Sequence, residues 1–265
     1  MKYDQLINKQ YHILQRNKIN KDKDKFIYNE ICSRINLSID VINLSISKCL
    51  EIGIHSNKIE EFICSKYPHV NFYLSDISLN ILNKILSNHS KICFDHDEWP
   101  FREKIFDLII SNYYLNLSRN FDLLLKNINC SLNNNGFFIA TLPGINTLPE
   151  LKSSMIEADI EVYGGVYRRF MELYSIEKVN YFLKKNNFQN PVIERDILKF
   201  YYNNFYDLLK DLRYMGNSNI YCDRKLTFEK KNYFKKVENI YCKQYSIDKK
   251  LIAQIEVIYI SGWKG

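Results

Sequence analysis

The chain has 265 residues, 46% of them hydrophobic, with a formal net charge of +7. That length and composition bury a full core and exclude a disordered or collagen-like chain. Positive charge would suit nucleic acid or an anionic membrane, but it is spread over predicted helix surfaces, which argues against nucleic acid.

Seven cysteines are scattered with no C-x-x-C pair and several lie inside apolar patterns, so the reading is reduced thiols in a cytoplasmic protein. The first residues are polar and the longest apolar runs are strand-length, which predicts neither a signal peptide nor a membrane span.

In chain order, residues 1–25 form a polar segment ending in Lys21-Asp22-Lys23-Asp24-Lys25, expected to be solvated. From 26 to about 46, Ile27, Ile31, Ile35 and Ile39 recur at helical spacing. Short apolar runs then alternate with helical stretches: strands at 47–52, 71–75, 92–94, 106–111 and 137–142, helices at 58–64, 79–86 and 121–132, and a turn at 133–136. This alternation predicts a mostly parallel sheet flanked by helices, a Rossmann-like α/β fold. Further helices are expected at 148–158 and 176–186, a strand at 192–201, a helical insertion at about 205–250, and a final, antiparallel strand at 253–260. Residues 26–265 are read as one domain carrying that insertion.

In such sheets the ligand lies beyond the carboxyl ends of the central strands. Glu51 and Gly53 end the first strand, in Leu50-Glu51-Ile52-Gly53-Ile54-His55-Ser56-Asn57. Asp76 ends the second, where a carboxylate can accept both ribose hydroxyls, or else cap the following helix. Asp95-His96-Asp97-Glu98 follows the third, either a solvated loop or a carboxylate facing an adenine amine. Three acidic strand ends in succession favour an adenosyl ligand.

Several segments resemble the class I S-adenosylmethionine-dependent methyltransferases. They are Asp95-His96-Asp97-Glu98-Trp99-Pro100-Phe101 with Phe106-Asp107-Leu108-Ile109-Ile110-Ser111, and Asn135-Gly136-Phe137-Phe138-Ile139 with Gly144-Ile145-Asn146-Thr147-Leu148-Pro149-Glu150-Leu151. Gly164-Gly165-Val166-Tyr167-Arg168-Arg169-Phe170, Asp211-Leu212-Arg213-Tyr214-Met215-Gly216-Asn217-Ser218-Asn219 and Ile258-Tyr259-Ile260-Ser261-Gly262-Trp263 narrow the resemblance to the mitochondrial complex I assembly factor (arginine hydroxylase) type. That type is related to the biotin-pathway malonyl-carrier-protein O-methyltransferases.

The resemblance implies S-adenosyl-L-methionine as cofactor, held by Glu51, Gly53, His55, Asp76, Asp95, His96 and Asn112. Tyr113, Tyr114 and Arg169 fall on the acceptor side, and catalytic residues are not assigned. It also implies a protein client, a respiratory complex I subunit, with peripheral association at an anionic inner membrane. Three readings stay open: action on that client, a malonyl-type carboxyl O-methyltransferase, and a non-catalytic assembly factor.

The family's first turn has three glycines at alternate positions, where this chain has Gly53, His55 and Asn57. Asn is the non-glycine residue that best tolerates the left-handed region, so Asn57 is a mild loss, whereas a forced conformation at His55 would cost on the order of 1–3 kcal/mol and weaken cofactor binding. His55 would also point into or beside the cofactor path. For hydroxylation, His96-Asp97-Glu98 supplies half of an iron facial triad, with a second histidine available only from upstream; no metal site is predicted.

Overall fold

The computed structural model describes residues 7–19, 26–215 and 219–265. Lys21 to Lys25 and Gly216-Asn217-Ser218 lie outside the described residues. Elements run in the order α1 (Lys9–Asn17), α2 (Phe26–Asp40), β1 (Lys48–Ile52), α3 (Lys58–Lys66), β2 (Asn71–Asp76), α4 (Leu79–Lys84), β3 (Ser90–Cys93), β4 (Phe106–Asn112), α5 (Phe121–Ser131) and β5 (Leu132–Pro143). There follow α6 (Pro149–Tyr163), α7 (Ile176–Lys185), β6 (Phe188–Tyr202), α8 (Phe205–Tyr214), α9 (Tyr233–Tyr245), β7 (Ser246–Ile247) and β8 (Lys250–Lys264).

The strands form one sheet in the order β3-β2-β1-β4-β5-β8-β6, with β7 paired to β8. The first five are parallel, and β8 runs antiparallel to both β5 and β6. The central strands are buried on both faces, which is why they read as continuous apolar runs in the sequence. One face packs Ile31 and Ile35 of α2, Ile63 of α3 and Val237 of α9. The other packs Leu124 and Leu125 of α5 with Val179 and Leu183 of α7.

Two local features depart from the predicted pattern. The 133–136 turn is absorbed into β5, where pairing with β4 shifts between Phe106–Leu132 and Leu108–Phe137 and Asn135 takes φ +61°. An extra loop in one strand of a pair is the ordinary consequence of such a shift. Ahead of the sheet, part of the polar segment expected in solvent is helix α1, and it buries His12, Gln15 and Arg16.

Helix α1 begins with Asn8, whose side chain accepts the Tyr11 amide. Asn8 N also bonds to Ile220 O, and Ile7 forms a β-bridge with Tyr221, so the start of α1 is tied to the segment before α9. These contacts hold α1 across the carboxyl edge of the parallel strands.

Candidate functional site

Parallel pairing sets Glu51 beside Leu74 and Ile110, and Asp76 beside Cys93, so the acidic strand ends share one edge. Gly53 starts the first turn at φ +78°, the conformation for which glycine is needed there, and its amide donates to Ser75 O at 2.8 Å. Asn57 has φ −83° and His55 is not among the positive-φ residues. The strain expected for these two positions is therefore absent. His55 is buried, and its ring stacks on Tyr28 of α2 with centroids 3.7 Å apart.

Asp76 is saturated by the protein itself. Its Oδ2 accepts from Arg16 Nη2 at 2.5 Å and from the Ile54 amide at 3.2 Å, while Oδ1 accepts from the Ser78 amide at 2.9 Å and Arg16 Nε at 3.4 Å. Arg16 Nη2 also donates to Ile54 O at 2.8 Å. Both side chains of the pair are 0% exposed. The cap of α4 is Ser78, whose hydroxyl accepts the Ile81 amide, so Asp76 does not cap that helix.

Tyr114 does not face the acceptor side as the resemblance implied. A Cβ on Gly53 would lie 2.1 Å from Tyr114 Cγ, so the ring rests directly on the glycine. The Arg16 guanidinium lies 4.8 Å from the same ring centroid. Tyr113 takes φ +56° immediately before it and remains on the other side, in the cavity wall.

At the third strand end Asp95 receives Arg119 and Lys9, each at 3.1 Å, and Asp97 receives Arg119 Nε at 3.0 Å. Burial pushes Asp97 upward, but His96, Ser118 and Arg119 outweigh it and leave its carboxyl below the usual range. Potential ligand atoms of Asp95, His96 and Asp97 lie within 4.8 Å of one another, and the upstream His12 ring is 6.0 Å from His96. Cations already neutralise both carboxylates, which disfavours a second positive charge. Asn112 is committed as well, accepting from Thr141 Oγ1 at 3.0 Å.

Glu51 is the exception among the carboxylates of the cradle. It is buried, its Oε2 has no hydrogen-bond partner among the described residues, and burial, reinforced by Glu60 and Asp76, raises its pKa well above the carboxylate range. Burial therefore favours the protonated form of Glu51 over the carboxylate.

Beside the closed cradle lies an open cavity of about 670 Å³. Tyr113, Thr147, Leu151, Leu212 and Phe234 are in its wall, with Lys18, Lys152, Arg169 and Arg213, and no carboxylate is among the lining residues. Arg169 is tied to Asp159 through 2.5 and 2.7 Å bonds and to Glu229 at 2.9 Å. Burial lowers the pKa of Lys152. Sequence reasoning missed Arg16, His12 and Arg119, because polarity assigned 1–25 to solvent and nothing local marks Arg119 as a partner of 95–97.

Together, the strand order, the antiparallel β8 and the turn after β1 define the class I S-adenosylmethionine-dependent methyltransferase fold. Solved structures agree: the YcgJ protein of Bacillus subtilis is 12% identical with TM-score 0.59, covering 88% of this chain and 98% of that one. A Haemonchus contortus phosphoethanolamine N-methyltransferase solved with S-adenosylhomocysteine is 16% identical with TM-score 0.51, covering 87% and 52%.

Among curated proteins, the chain is similar to the mitochondrial arginine-hydroxylase NDUFAF5 of Danio rerio, 26% identical over 93% of this chain and 77% of the relative. It is also similar to the malonyl-[acyl-carrier protein] O-methyltransferase of Legionella pneumophila, 23% identical over 90% of this chain and 84% of the relative. No protein-family model matches the chain.

The arrangement does not fit the fold's cofactor as it stands. Asp76 has no acceptor position left for ribose, the face of Gly53 is under Tyr114, and Asp95 is bound by Arg119 and Lys9. Among the cradle's carboxylates in the described residues, Glu51 Oε2 alone lacks a hydrogen-bond partner, and neither ring nitrogen of His96 has one. Among the described residues no helix is long and apolar enough to cross a membrane.

Proposed function

We propose that the protein acts on a protein client in the manner of a complex I assembly factor, with a segment of the client subunit seated in the 670 Å³ cavity. The observation that carries this reading is the pairing of an open acceptor cavity with a closed adenosyl cradle. Similarity to NDUFAF5 over nine-tenths of the chain supports the choice of client. The cavity combines apolar walls with a few polar groups, the usual make-up of a recognition site. Its cations and lack of carboxylates select acidic and apolar client side chains.

A photoreactive phenylalanine at Leu212 or Phe234 tests the reading against the purified peripheral subunits of the respiratory complex. The expected result is an adduct confined to one subunit and suppressed by reversing Lys152 to Glu. Adducts with none of them would overturn it.

The same lining favours a second reading, transferase-type enzymology on a carboxylate borne by a carrier protein. An unpaired carboxylate acceptor would meet Lys18, Lys152 and Arg213, whereas an arginine would meet like charge. The malonyl relatives are named for O-methyl transfer on such a carrier protein, and the methyl donor that the fold implies is S-adenosyl-L-methionine. In this chain the donor would need Arg16 and Tyr114 to withdraw. An adduct with an acyl-carrier protein instead of a respiratory subunit would favour this reading.

A further inference from the structure

We infer that the chain occupies its own adenosyl cradle, with the Arg16 guanidinium standing where a ribose would bind Asp76 and the Tyr114 ring standing on Gly53 where a methionine chain would pass. The inference holds whichever client the cavity takes. A ribose offers two hydroxyl donors to one carboxylate, and the guanidinium offers a fork with the same spacing and a full positive charge. The fork reaches both Asp76 oxygens and also Ile54 O, so it satisfies the turn as well as the acid. Sealed from solvent, such a pair is not displaced by a neutral diol, which would leave both charges buried and unpaired.

Tyr114 completes the exclusion. A side chain resting on the only left-handed glycine of the turn prevents any ligand from approaching that backbone. His12 and His96 close the remaining side, with ring centroids 5.7 and 5.0 Å from Tyr114. His12 and Arg16 both come from α1, one turn apart, so a single helix supplies the partner of Asp76 and one of the rings beside Tyr114. Asp76 and Asp95, two of the three acids that read as a nucleoside site in the sequence, are here an internal docking site for Arg16 and Lys9 of α1.

Isothermal titration of S-adenosylhomocysteine and S-adenosylmethionine into the full chain, R16M, Y114A and the double variant tests this, with thermal melting to establish that each is folded. A ligand that must wait for a minor open state binds more weakly by the fraction open. The wild type is expected to show no saturation at millimolar ligand, and each single variant to bind at least about tenfold more tightly than wild type, the double variant most tightly. Y114A leaves no buried charge behind and serves if R16M does not fold. Wild-type binding as tight as that of the variants would overturn the inference, and so would folded variants that bind neither ligand.

Discussion

Arg16 and Asp76 form an ion pair that is closed to solvent at both ends, across 60 residues of sequence. Removing one partner strands the other charge in the core. R16M is therefore expected to cost about 3–5 kcal/mol, whereas R16M combined with D76N recovers most of that loss. Urea denaturation of the two singles and the double gives the coupling directly; additive losses would show that the pair is not a unit.

Gly53 and Tyr114 make a second coupled pair. G53A places a Cβ against the Tyr114 ring at a positive φ, for a combined cost of at least about 1–3 kcal/mol. In a Y114A background the steric part disappears and only the backbone part remains. Equal cost of G53A in both backgrounds, measured by chemical denaturation, would place Tyr114 elsewhere.

The sheet was legible in the sequence because buried parallel strands read as apolar runs, and the predicted strands coincide closely with β1, β2 and β4, while the antiparallel β8 runs well past the expected 253–260 at both ends. The acidic strand ends were legible too, since Glu51, Asp76 and Asp95 do converge on one edge. What they meet was not. Arg16 sits in a polar stretch whose burial depends on a partner 60 residues away, and nothing in the sequence marks Tyr114 as resting on Gly53 while Tyr113 lines the cavity. His55 was expected to strain the turn, yet it stacks on Tyr28 instead.

Glu51 makes stability depend on pH. Its pKa is raised in the folded state by burial first, then by Glu60 and Asp76, so the unfolded chain releases this proton at lower pH than the native one. Above the ordinary carboxylate value of 4.5, the wild type loses stability as pH rises. E51Q removes that loss, and its advantage over wild type should widen in thermal melts as pH rises above that value. A constant difference there would mean Glu51 is ionised in the native state.

His12 acts in the opposite direction. Burial, aided by His96 and Arg16, holds its pKa well below 6.5, so the unfolded chain takes up a proton that the native state refuses. Stability attributable to His12 is present above that value and falls below it. H12Q is expected to flatten the decline between about pH 7 and about pH 5 relative to wild type. Parallel pH profiles for the two proteins would contradict a neutral, buried His12.

The most direct test of the self-occupied cradle is native-state hydrogen exchange of the α1 amides from Ile13 to Asn17. A helix docked through a buried ion pair opens only with the surrounding fold, so these amides should exchange nearly as slowly as those of β1 and β2, with no change on adding S-adenosylhomocysteine. Exchange of α1 orders of magnitude faster than the sheet, slowed by that ligand, would contradict the account.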